Sequence, residues 1–339
     1  MAWNERYSRQ IAFKGVGEEG QEKLSKARVL IVGAGALGSV IANNLCRAGV
    51  GFLRLVDRDY VELSNLQRQV IYNEQDVKEN LPKAVAAVNH LQKVNSDITL
   101  EPVVCDVNGG NIEKLMEGID LVLDGTDNME TRLLVNDACQ KLQIPWVYGG
   151  ALMSYGMSMN IIPGETACFR CFNPNIPPPG SMPTCSSAGV LSMITGIIAC
   201  IESTEALKIL TGSPEVRKNL FVIDIWNNSA DYVEIAKNPE CPTCGQKQYE
   251  FLESMKGSYT AKLCGRDSVQ VVPAHAGEVD LKAVAEKLKN LGTVKVNPFL
   301  LKFTAENIEI SLFKDGRAII KNAKDENMAK SIYAEYIGL

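Results

Sequence analysis

The 339-residue chain carries 35 Lys and Arg against 40 Asp and Glu, a formal net charge of −5, and 46 % of its residues are hydrophobic. This size suits about two domains with a large core, and the acidic balance gives no reason to expect a nucleic-acid partner. No apolar run reaches membrane-spanning length and the first ten residues contain no signal-peptide core, so we expect a cytoplasmic protein without a membrane partner.

The chain opens with a segment, RYSRQ, that places Arg6 and Arg9 ahead of the first core element. Taken alone, this segment is typical of a solvated N-terminal arm. Apolar residues spaced among charged ones over residues 17–25 then predict an amphipathic helix.

Residues 28–68 predict a nucleotide-binding module of strand, glycine turn, helix and strand. A short apolar run leads into GAGALG, where Gly33, Gly35 and Gly38 match the GxGxxG pattern. Without side chains, these glycines permit a tight turn, close approach of a phosphate and close packing of the next helix, whose N-terminal amides favour an anion. Asp57 ends the second strand, where an acidic residue can hold ribose hydroxyls. The module predicts a nucleotide without deciding which one.

Strands and helices alternate as far as residue 148, which predicts a Rossmann-like, mostly parallel sheet with right-handed crossovers. After Gly150, residues 154–162 and two later segments predict antiparallel strands. The expected fold class is therefore α/β, a parallel sheet continued by antiparallel strands, with ligands at the carboxyl ends of the parallel strands.

We expect two domains. Residues 1–250 form the larger one, including a proline-rich, mobile crossing loop over residues 172–188 that suits neither regular helix nor central strand. Over residues 259–339, short strands and two helices predict a small α+β domain. Its role stays open between recognition of a partner and a stabilising appendage.

Two CxxC pairs are candidate metal ligands: Cys168 with Cys171, and Cys241 with Cys244. Each pair can present two thiolates to one ion, and four sulfurs make a tetrahedral zinc site of the structural kind. The gap between the pairs is longer than in compact zinc ribbons, and a single CxxC pair could also be redox active. Two such pairs, flanking the change from alternating strands and helices to antiparallel strands, nevertheless favour a zinc site.

Three charged residues, Arg68, Lys83 and Asp127, fall in segments that should reach the carboxyl edge of the sheet. Cations neutralise the charge of phosphoryl groups during their transfer, and an aspartate can bind the metal ion that accompanies the phosphates. The three residues together therefore favour a triphosphate with magnesium as the ligand. Each residue alone would be an ordinary surface charge. An NAD-dependent dehydrogenase, the alternative, leaves this set and the cysteine pairs unexplained.

Cys185 lies in TCSSAG, ahead of a helix expected to begin near Gly189. A helix N-terminus lowers the pKa of a thiol, so we expect a reactive thiolate here. A buried or incidental cysteine is the alternative.

Eight motifs in one order carry a family resemblance. They are RYSRQI, GAGALG, VDRDYVELSNLQRQ, LPKA, DGTDN, CFRC, TCSSAGVL and CPTC. Over residues 6–250 the chain resembles the ThiF/MoeB/HesA family, bacterial relatives of the ubiquitin-activating enzymes. The resemblance implies ATP-dependent adenylation of the C-terminal glycine carboxylate of a ubiquitin-like sulfur-carrier protein ending in Gly-Gly, with release of pyrophosphate.

The resemblance also implies roles for individual residues. Asp57 would bind the ribose, Asp127 with Asn128 would bind magnesium and nucleotide, and Cys185 would receive the carrier's C-terminus or form a persulfide link to it. Arg9 would be an arginine finger from the neighbouring protomer, which reverses the interpretation of the N-terminal arm and predicts a homodimer. The other residues expected to bind ATP are Gly33, Gly35, Ala36, Gly38, Ser64, Asn65, Arg68 and Lys83.

ThiS of thiamine biosynthesis is the expected carrier, with the molybdopterin-synthase carrier as the alternative and a sulfur-donor protein as a candidate further partner. Two other functions stay open: adenylation of a carboxyl group on modified tRNA, which would prefer a basic surface, and a non-enzymatic nucleotide-binding scaffold. A carboxylate needs no general base to attack a phosphate, so the small number of histidines, two, is no objection to adenylation.

Overall fold

The computed structural model describes residues 3–176, 183–254, 259–262, 268–273, 278–305 and 308–338. The chain divides into two units, Met1–Met255 and Lys256–Leu339. Each unit has its own sheet and its own hydrophobic core. No described helix is both long enough and apolar enough to cross a membrane.

The first unit has the alternating helices and strands that its sequence predicts. In chain order they are α1 (Trp3–Arg6), α2 (Ser8–Ile11), α3 (Gly17–Lys26), β1 (Arg28–Val32), α4 (Ala36–Ala48), β2 (Phe52–Asp57), a 3₁₀ turn (Leu63–Asn65), α5 (Glu74–Lys78), α6 (Lys83–Leu91), β3 (Thr99–Val104), α7 (Ile112–Leu115), β4 (Leu121–Asp124), α8 (Met129–Leu142), β5 (Trp146–Leu152), β6 (Tyr155–Ile161), α9 (Phe169–Phe172), α10 (Cys185–Ala188), α11 (Ser192–Thr211), β7 (Leu220–Asp224), β8 (Ser229–Val233) and α12 (Glu250–Ser254).

Its eight strands form one sheet of order β3-β2-β1-β4-β5-β6-β7-β8. The first five in this order pair in parallel, and β6, β7 and β8 continue the sheet antiparallel. This arrangement confirms the predicted fold class. Because the chain runs outward from β1 to β3 and then returns to β4, the strand order reverses between β1 and β4. Ligands of such sheets bind at this switch point.

The side chains of β1 show that the sheet is covered on both faces. Val29 and Ile31 belong to a core shared with α4, α6 and α11, whereas Leu30 and Val32 belong to a core shared with α7 and α8. A strand covered on both faces needs such a continuous apolar run. Each fully buried aliphatic side chain contributes about 1.5–3 kcal/mol through the area removed from water.

The second unit is a small α+β fold, as its sequence predicts. Its elements are β9 (Tyr259–Lys262), β10 (Ser268–Val272), α13 (Leu281–Leu288), β11 (Thr293–Val296), β12 (Leu300–Ala305), β13 (Ile308–Phe313), β14 (Ala318–Lys321) and α14 (Glu326–Tyr336). The strands form an antiparallel sheet of order β11-β12-β13-β14-β10-β9. Asp280 and Asp325 cap the two helices, which pack Leu281 and Ile332 into one core with Phe303.

The segment before α11 differs from the sequence prediction. Residues 177–182 of the predicted crossing loop lie outside the described residues. The end of that loop is helical, because Thr184 and Ser187 form a capping box around α10. Gly189, at φ +80°, then separates α10 from α11, which begins at Ser192. The long helix therefore begins three residues after the predicted start near Gly189.

Candidate active site

The carboxyl ends of β1, β2 and β4 bring most of the predicted site residues to one edge of the sheet. The glycine loop follows β1, Asp57 ends β2, and a loop with Asp127 and Asn128 follows β4. Helices α4, α6 and α8 begin at this edge, where their free N-terminal amides favour a bound anion. The edge coincides with the switch point of the sheet.

The three motif glycines differ in what surrounds them. Gly33 has φ +90°, and a Cβ there would lie 2.5 Å from the carbonyl oxygen of Gly125. A Cβ on Gly38 would lie 1.9 Å from the carbonyl oxygen of Gly33, so Gly38 allows α4 to pack against the loop. At Gly35, just before Ala36 begins α4, the nearest neighbouring atom would be 3.8 Å away. The protein leaves room at Gly35, as expected where a phosphate approaches the backbone.

The Asp57 carboxylate holds the glycine loop. Its Oδ2 accepts the N–H of Ala34 at 2.7 Å and its Oδ1 accepts that of Asp59 at 2.7 Å. Burial raises the pKa of Asp57, although Lys83 and these N–H groups oppose the rise. The buried Tyr72, which sequence reasoning missed, places its hydroxyl 2.6 Å from the carbonyl oxygen of Ala34 and 3.2 Å from that of Lys83. Tyr72 therefore joins the glycine loop to the start of α6.

Two of the predicted cations lie at this edge. Lys83 is the first residue of α6, and its buried Nζ lies 3.2 Å from Oδ2 of Asp59. The Nη1 of Arg68 donates to the carbonyl oxygen of the exposed Ser64 at 3.1 Å. Asn65 is buried, and its Oδ1 accepts a backbone N–H at the start of the 3₁₀ turn, 3.0 Å away. Asn65 thus shapes the turn that carries Arg68.

A buried ion pair that sequence reasoning missed supports the loop after β4. From the first turns of α8, Arg132 donates through Nε to Oδ2 of Asp124 at 3.1 Å and through Nη2 to the carbonyl oxygens of Thr126 at 2.8 Å and Gly149 at 2.9 Å. Burial lowers the pKa of Arg132, but Asp124, Tyr148 and Asp127 together outweigh burial, and the net effect raises the pKa of Arg132. The signal for the pair was a cation eight positions after Asp124, near the start of a helix at the ligand-binding edge.

Asp127 and Asn128 differ in their availability to a ligand. Asp127 is exposed, and its carboxylate makes no hydrogen bond within the described part of the chain. Asn128 is the N-cap of α8, where its Oδ1 accepts the N–H of Thr131 at 2.8 Å. Asp127 can therefore offer oxygen to a metal ion, whereas Asn128 uses its own oxygen to cap the helix.

Cys185 lies at the same edge, but its thiol differs from the sequence prediction. Its Sγ is 3.7 Å from the carbonyl oxygen of Ala151, within range of the charges of Asp127, Arg68 and Arg132. Burial raises the pKa of Cys185, Asp127 adds to the rise, and the two arginines oppose it. The expected lowering by a helix N-terminus was wrong, because α10 has only four residues and desolvation of the thiol dominates.

Arg9 lies at the opposite end of the sheet. Its neighbour Gln10 donates to the carbonyl oxygen of Ala48, the last residue of α4, at 2.9 Å. Tyr7 is anchored nearby, where its hydroxyl accepts from Nδ2 of Asn95 at 2.8 Å. Helix α4 begins at the glycine loop, and its 13 residues span about 20 Å. The exposed Arg9 is thus separated from its own glycine loop by the length of α4.

The four cysteines of the CxxC pairs converge. Their sulfur atoms all lie within 4.8 Å of one another, with 3.5 Å between Cys168 and Cys241 and 3.4 Å between Cys171 and Cys244. Tetrahedral zinc with Zn–S bonds of about 2.3 Å places its sulfurs about 3.8 Å apart, whereas a disulfide requires about 2.05 Å. The donor set and its geometry fit a closed, structural zinc site.

Known relatives agree with this architecture. The sequence matches the ThiF family over residues 7–243. It is 44 % identical over 336 residues to the sulfur carrier protein ThiS adenylyltransferase of Bacillus subtilis, a match covering 98 % of this chain and 99 % of that protein. It is 39 % identical over 252 residues to the SAMP-activating enzyme E1 of Haloferax volcanii, covering 74 % of this chain and 92 % of that protein.

A solved structure shares the fold. The crystal structure of E. coli MccB with ATP has a TM-score of 0.62 at 22 % sequence identity, over 71 % of this chain and 75 % of that chain. The family match over residues 7–243, together with the Bacillus relative aligned over 98 % of the chain, confirms the resemblance noted in the sequence: the chain belongs to the ThiF family.

Proposed function

We propose that this chain uses ATP to adenylate the C-terminal glycine carboxylate of the sulfur carrier ThiS, with release of pyrophosphate. The observation that carries the proposal is the match to a ThiS adenylyltransferase over 98 % of the chain, which takes in both units. The match to the SAMP-activating enzyme covers 74 % of the chain. The second unit is therefore shared with a relative that is named for ThiS, and this favours ThiS as the carrier.

In this proposal the switch-point crevice holds the ATP. The amides of the glycine loop and of α4 bind phosphate, and Asp57 binds the ribose through lone pairs that its backbone hydrogen bonds leave free. Arg68 and Lys83 neutralise the triphosphate, and Asp127 holds magnesium, which further neutralises the phosphates. Asn128 contacts the nucleotide through its amide nitrogen, because its oxygen caps α8.

The chemistry needs alignment and neutralised charge. A glycine carboxylate is ionised at neutral pH, so it attacks the α-phosphorus without a general base. One carboxylate oxygen forms the new bond to phosphorus, the bond from the α-phosphorus to the bridging oxygen breaks, and pyrophosphate leaves with that electron pair. Arg68 and Lys83 stabilise the charge that accumulates on the leaving group.

Pyrophosphate exchange tests the proposal. With ThiS, ATP and magnesium, radiolabelled pyrophosphate should be incorporated into ATP, because adenylation is reversible. Arg68→Ala should slow this exchange by about 100-fold through loss of one charge-stabilising contact. Arg47→Ala is the matched control: Arg47 is an exposed arginine in the last turn of α4, away from the crevice. Exchange with the molybdopterin carrier and not with ThiS would support the alternative partner, and exchange with neither carrier defeats the proposal.

We further propose a homodimer in which Arg9 acts in the active site of the neighbouring subunit. The support is its position at the far end of α4 from its own glycine loop. Arg9→Ala and Lys83→Ala should each be inactive, yet mixed subunits should regain up to about a quarter of wild-type activity, because half of the dimers then contain one intact site. If differently tagged hybrid dimers form and stay inactive, Arg9 does not act across subunits.

Roles for the cysteines follow from their surroundings. We propose that zinc at the four-cysteine cluster is structural, since four sulfurs leave no open coordination position. Cys185 is proposed to receive the carrier's C-terminus after adenylation, because its Sγ lies at the ATP edge beside Arg68 and Arg132. Its thiolate attacks the acyl adenylate, the thioester bond forms, and AMP leaves with the electrons of the broken C–O bond. If a sulfur-donor protein has first converted Cys185 to a persulfide, attack by the outer sulfur gives the persulfide link, again with AMP as the leaving group. Cys185→Ala should then leave pyrophosphate exchange intact and abolish a covalent ThiS adduct that thiols reverse.

We propose that the second unit recognises ThiS. A chain ending at Met255 contains the whole first unit. It keeps Phe251, whose N–H donates to Oδ2 of the buried Asp137 at 2.9 Å. This truncation should keep ATP binding and weaken ThiS binding. Unchanged affinity for ThiS, measured by titration calorimetry, would make the second unit a stabilising appendage.

A further inference from the structure

A stack of side chains runs from the zinc-binding cysteines to Arg132. Phe169 and Phe172 belong to the short helix α9, in and beside the first CxxC pair, and their ring centroids lie 5.0 and 6.2 Å from that of Tyr148. The guanidinium carbon of Arg132 lies 5.1 Å from the centroid of the same tyrosine ring. Tyr148 is therefore packed between the metal-binding turn and a cation of the candidate active site.

A second connection runs through the backbone of α8. The buried Oδ1 of Asn136 accepts the N–H of Phe169 at 2.9 Å. Asn136 follows Arg132 by one helical turn, and residues four apart lie on the same face of a helix. Arg132, Tyr148, Phe169 and Asn136 thus form a closed circuit of contacts, so Arg132 is fixed both through its side chain and through its helix.

The same guanidinium of Arg132 reaches the edge where ATP is proposed to bind. Its hydrogen bonds to Asp124, to the carbonyl oxygen of Thr126 and to that of Gly149 define the loop that carries Asp127. Asp124 is fully buried, so a displaced Arg132 would leave an uncompensated carboxylate. Because these three hydrogen bonds hold the loop, its position depends on the orientation of Arg132.

We propose that zinc at the four-cysteine cluster positions Arg132 and the Asp124 to Asn128 loop for ATP, with Tyr148 and Asn136 as the positioning residues. Zinc binding and ATP binding are then thermodynamically coupled, although the two ligands do not touch. The inference rests on the ATP site of the proposed function. It makes Tyr148 a residue that affects nucleotide affinity without contacting nucleotide.

The test uses the reciprocity of coupled sites: if zinc tightens ATP, ATP must tighten zinc by the same factor. Zinc affinity of the full chain is measured by competition with 4-(2-pyridylazo)resorcinol, with and without a non-hydrolysable ATP analogue and magnesium. The dissociation constant of the analogue is measured by calorimetry on zinc-loaded and zinc-depleted protein. We expect changes of about ten-fold in both directions.

Two substitutions identify the route. Tyr148→Leu removes the ring between Arg132 and the metal-binding turn, and it should weaken binding of the analogue to zinc-loaded protein by about ten-fold and reduce the coupling. Tyr148→Phe keeps the ring and should behave as wild type. Asn136→Ser shortens the side chain that accepts the N–H of Phe169, so it should also reduce the coupling. This variant provides the test if Tyr148→Leu does not fold.

The outcomes separate this inference from the proposed function. Normal analogue binding that does not depend on zinc, in folded zinc-depleted protein, overturns the coupling and leaves the ATP site standing. Full coupling in Tyr148→Leu or in Asn136→Ser overturns the route. Failure of every form to bind the analogue overturns the ATP site itself, and this inference with it.

Discussion

Replacing two glycines of one motif by alanine should have opposite consequences. At Gly38 a Cβ would lie 1.9 Å from the backbone oxygen of Gly33, about 1.5 Å short of ordinary contact at 3.4 Å. Because neither backbone can yield cheaply, Gly38→Ala should cost about 3 kcal/mol and lower Tm by about 6–12 °C. At Gly35 the nearest neighbouring atom would be 3.8 Å away and φ is −79°, so Gly35→Ala should leave Tm within about 2 °C.

The same Gly35→Ala variant should nevertheless fail with ATP. If a phosphate approaches the backbone at Gly35, the methyl group displaces it by about 1 Å, and kcat/KM for ATP in pyrophosphate exchange should fall about 100-fold. Differential scanning calorimetry and exchange assays on both variants give the comparison. A large loss of Tm in Gly35→Ala, or normal ATP kinetics in that variant, would refute the assignment of this glycine to the phosphate.

Further predictions concern the cysteines. Cys241→Ser should lose bound zinc by metal analysis and lower Tm by about 10 °C, whereas the control Cys200→Ser, at an exposed cysteine outside the cluster, should change neither. Burial raises the pKa of Cys185 above the usual 9.0. Alkylation of Cys185 by iodoacetamide, followed by peptide mass spectrometry, should therefore be slow at pH 7 and still accelerate above pH 9. An alkylation rate that has already reached its plateau near pH 7 would contradict the raised pKa.

The nucleotide-binding edge was predictable because local signals coincide there. A buried strand, three glycines and an acidic residue each occupy a fixed offset, and the carboxyl ends of parallel strands must meet at one edge. The structure adds why the glycines differ. Gly33 and Gly38 are required by backbone contacts and Gly35 is not. At Gly33 the contact is with Gly125, from another strand end, and local spacing does not reveal it.

Convergence of the cysteine pairs depends on long-range packing that no spacing encodes. Cys168 and Cys241 are 73 positions apart in the chain. Asn136 and Asp137 of α8 hold the two cysteine segments, through the N–H of Phe169 and the hydroxyl of Thr243, each at 2.9 Å. Two buried polar residues in mid-helix were the available clue, since such groups require partners.

Two misses at the candidate active site, the pKa direction of Cys185 and the role of Arg132, depend on burial in the folded state. Sequence position suggested a low pKa for Cys185, but the charge environment and burial decide its direction. The sequence motifs did not single out Arg132, which is paired with the buried Asp124. Local spacing alone shows neither the burial of a group nor the charges that other segments of the chain bring close to it.

Direct detection of the acyl adenylate is the measurement that tests the central claim most directly. Purified ThiS is incubated with this protein, ATP and magnesium, the reaction is stopped in acid, and the intact carrier is weighed by mass spectrometry. We predict a mass increase of one AMP on ThiS, which should form about 100-fold more slowly with Arg68→Ala and be absent when the terminal glycine of ThiS is deleted. ATP binding without any AMP-modified ThiS, or equal modification of the truncated carrier, would contradict adenylation at the C-terminal glycine.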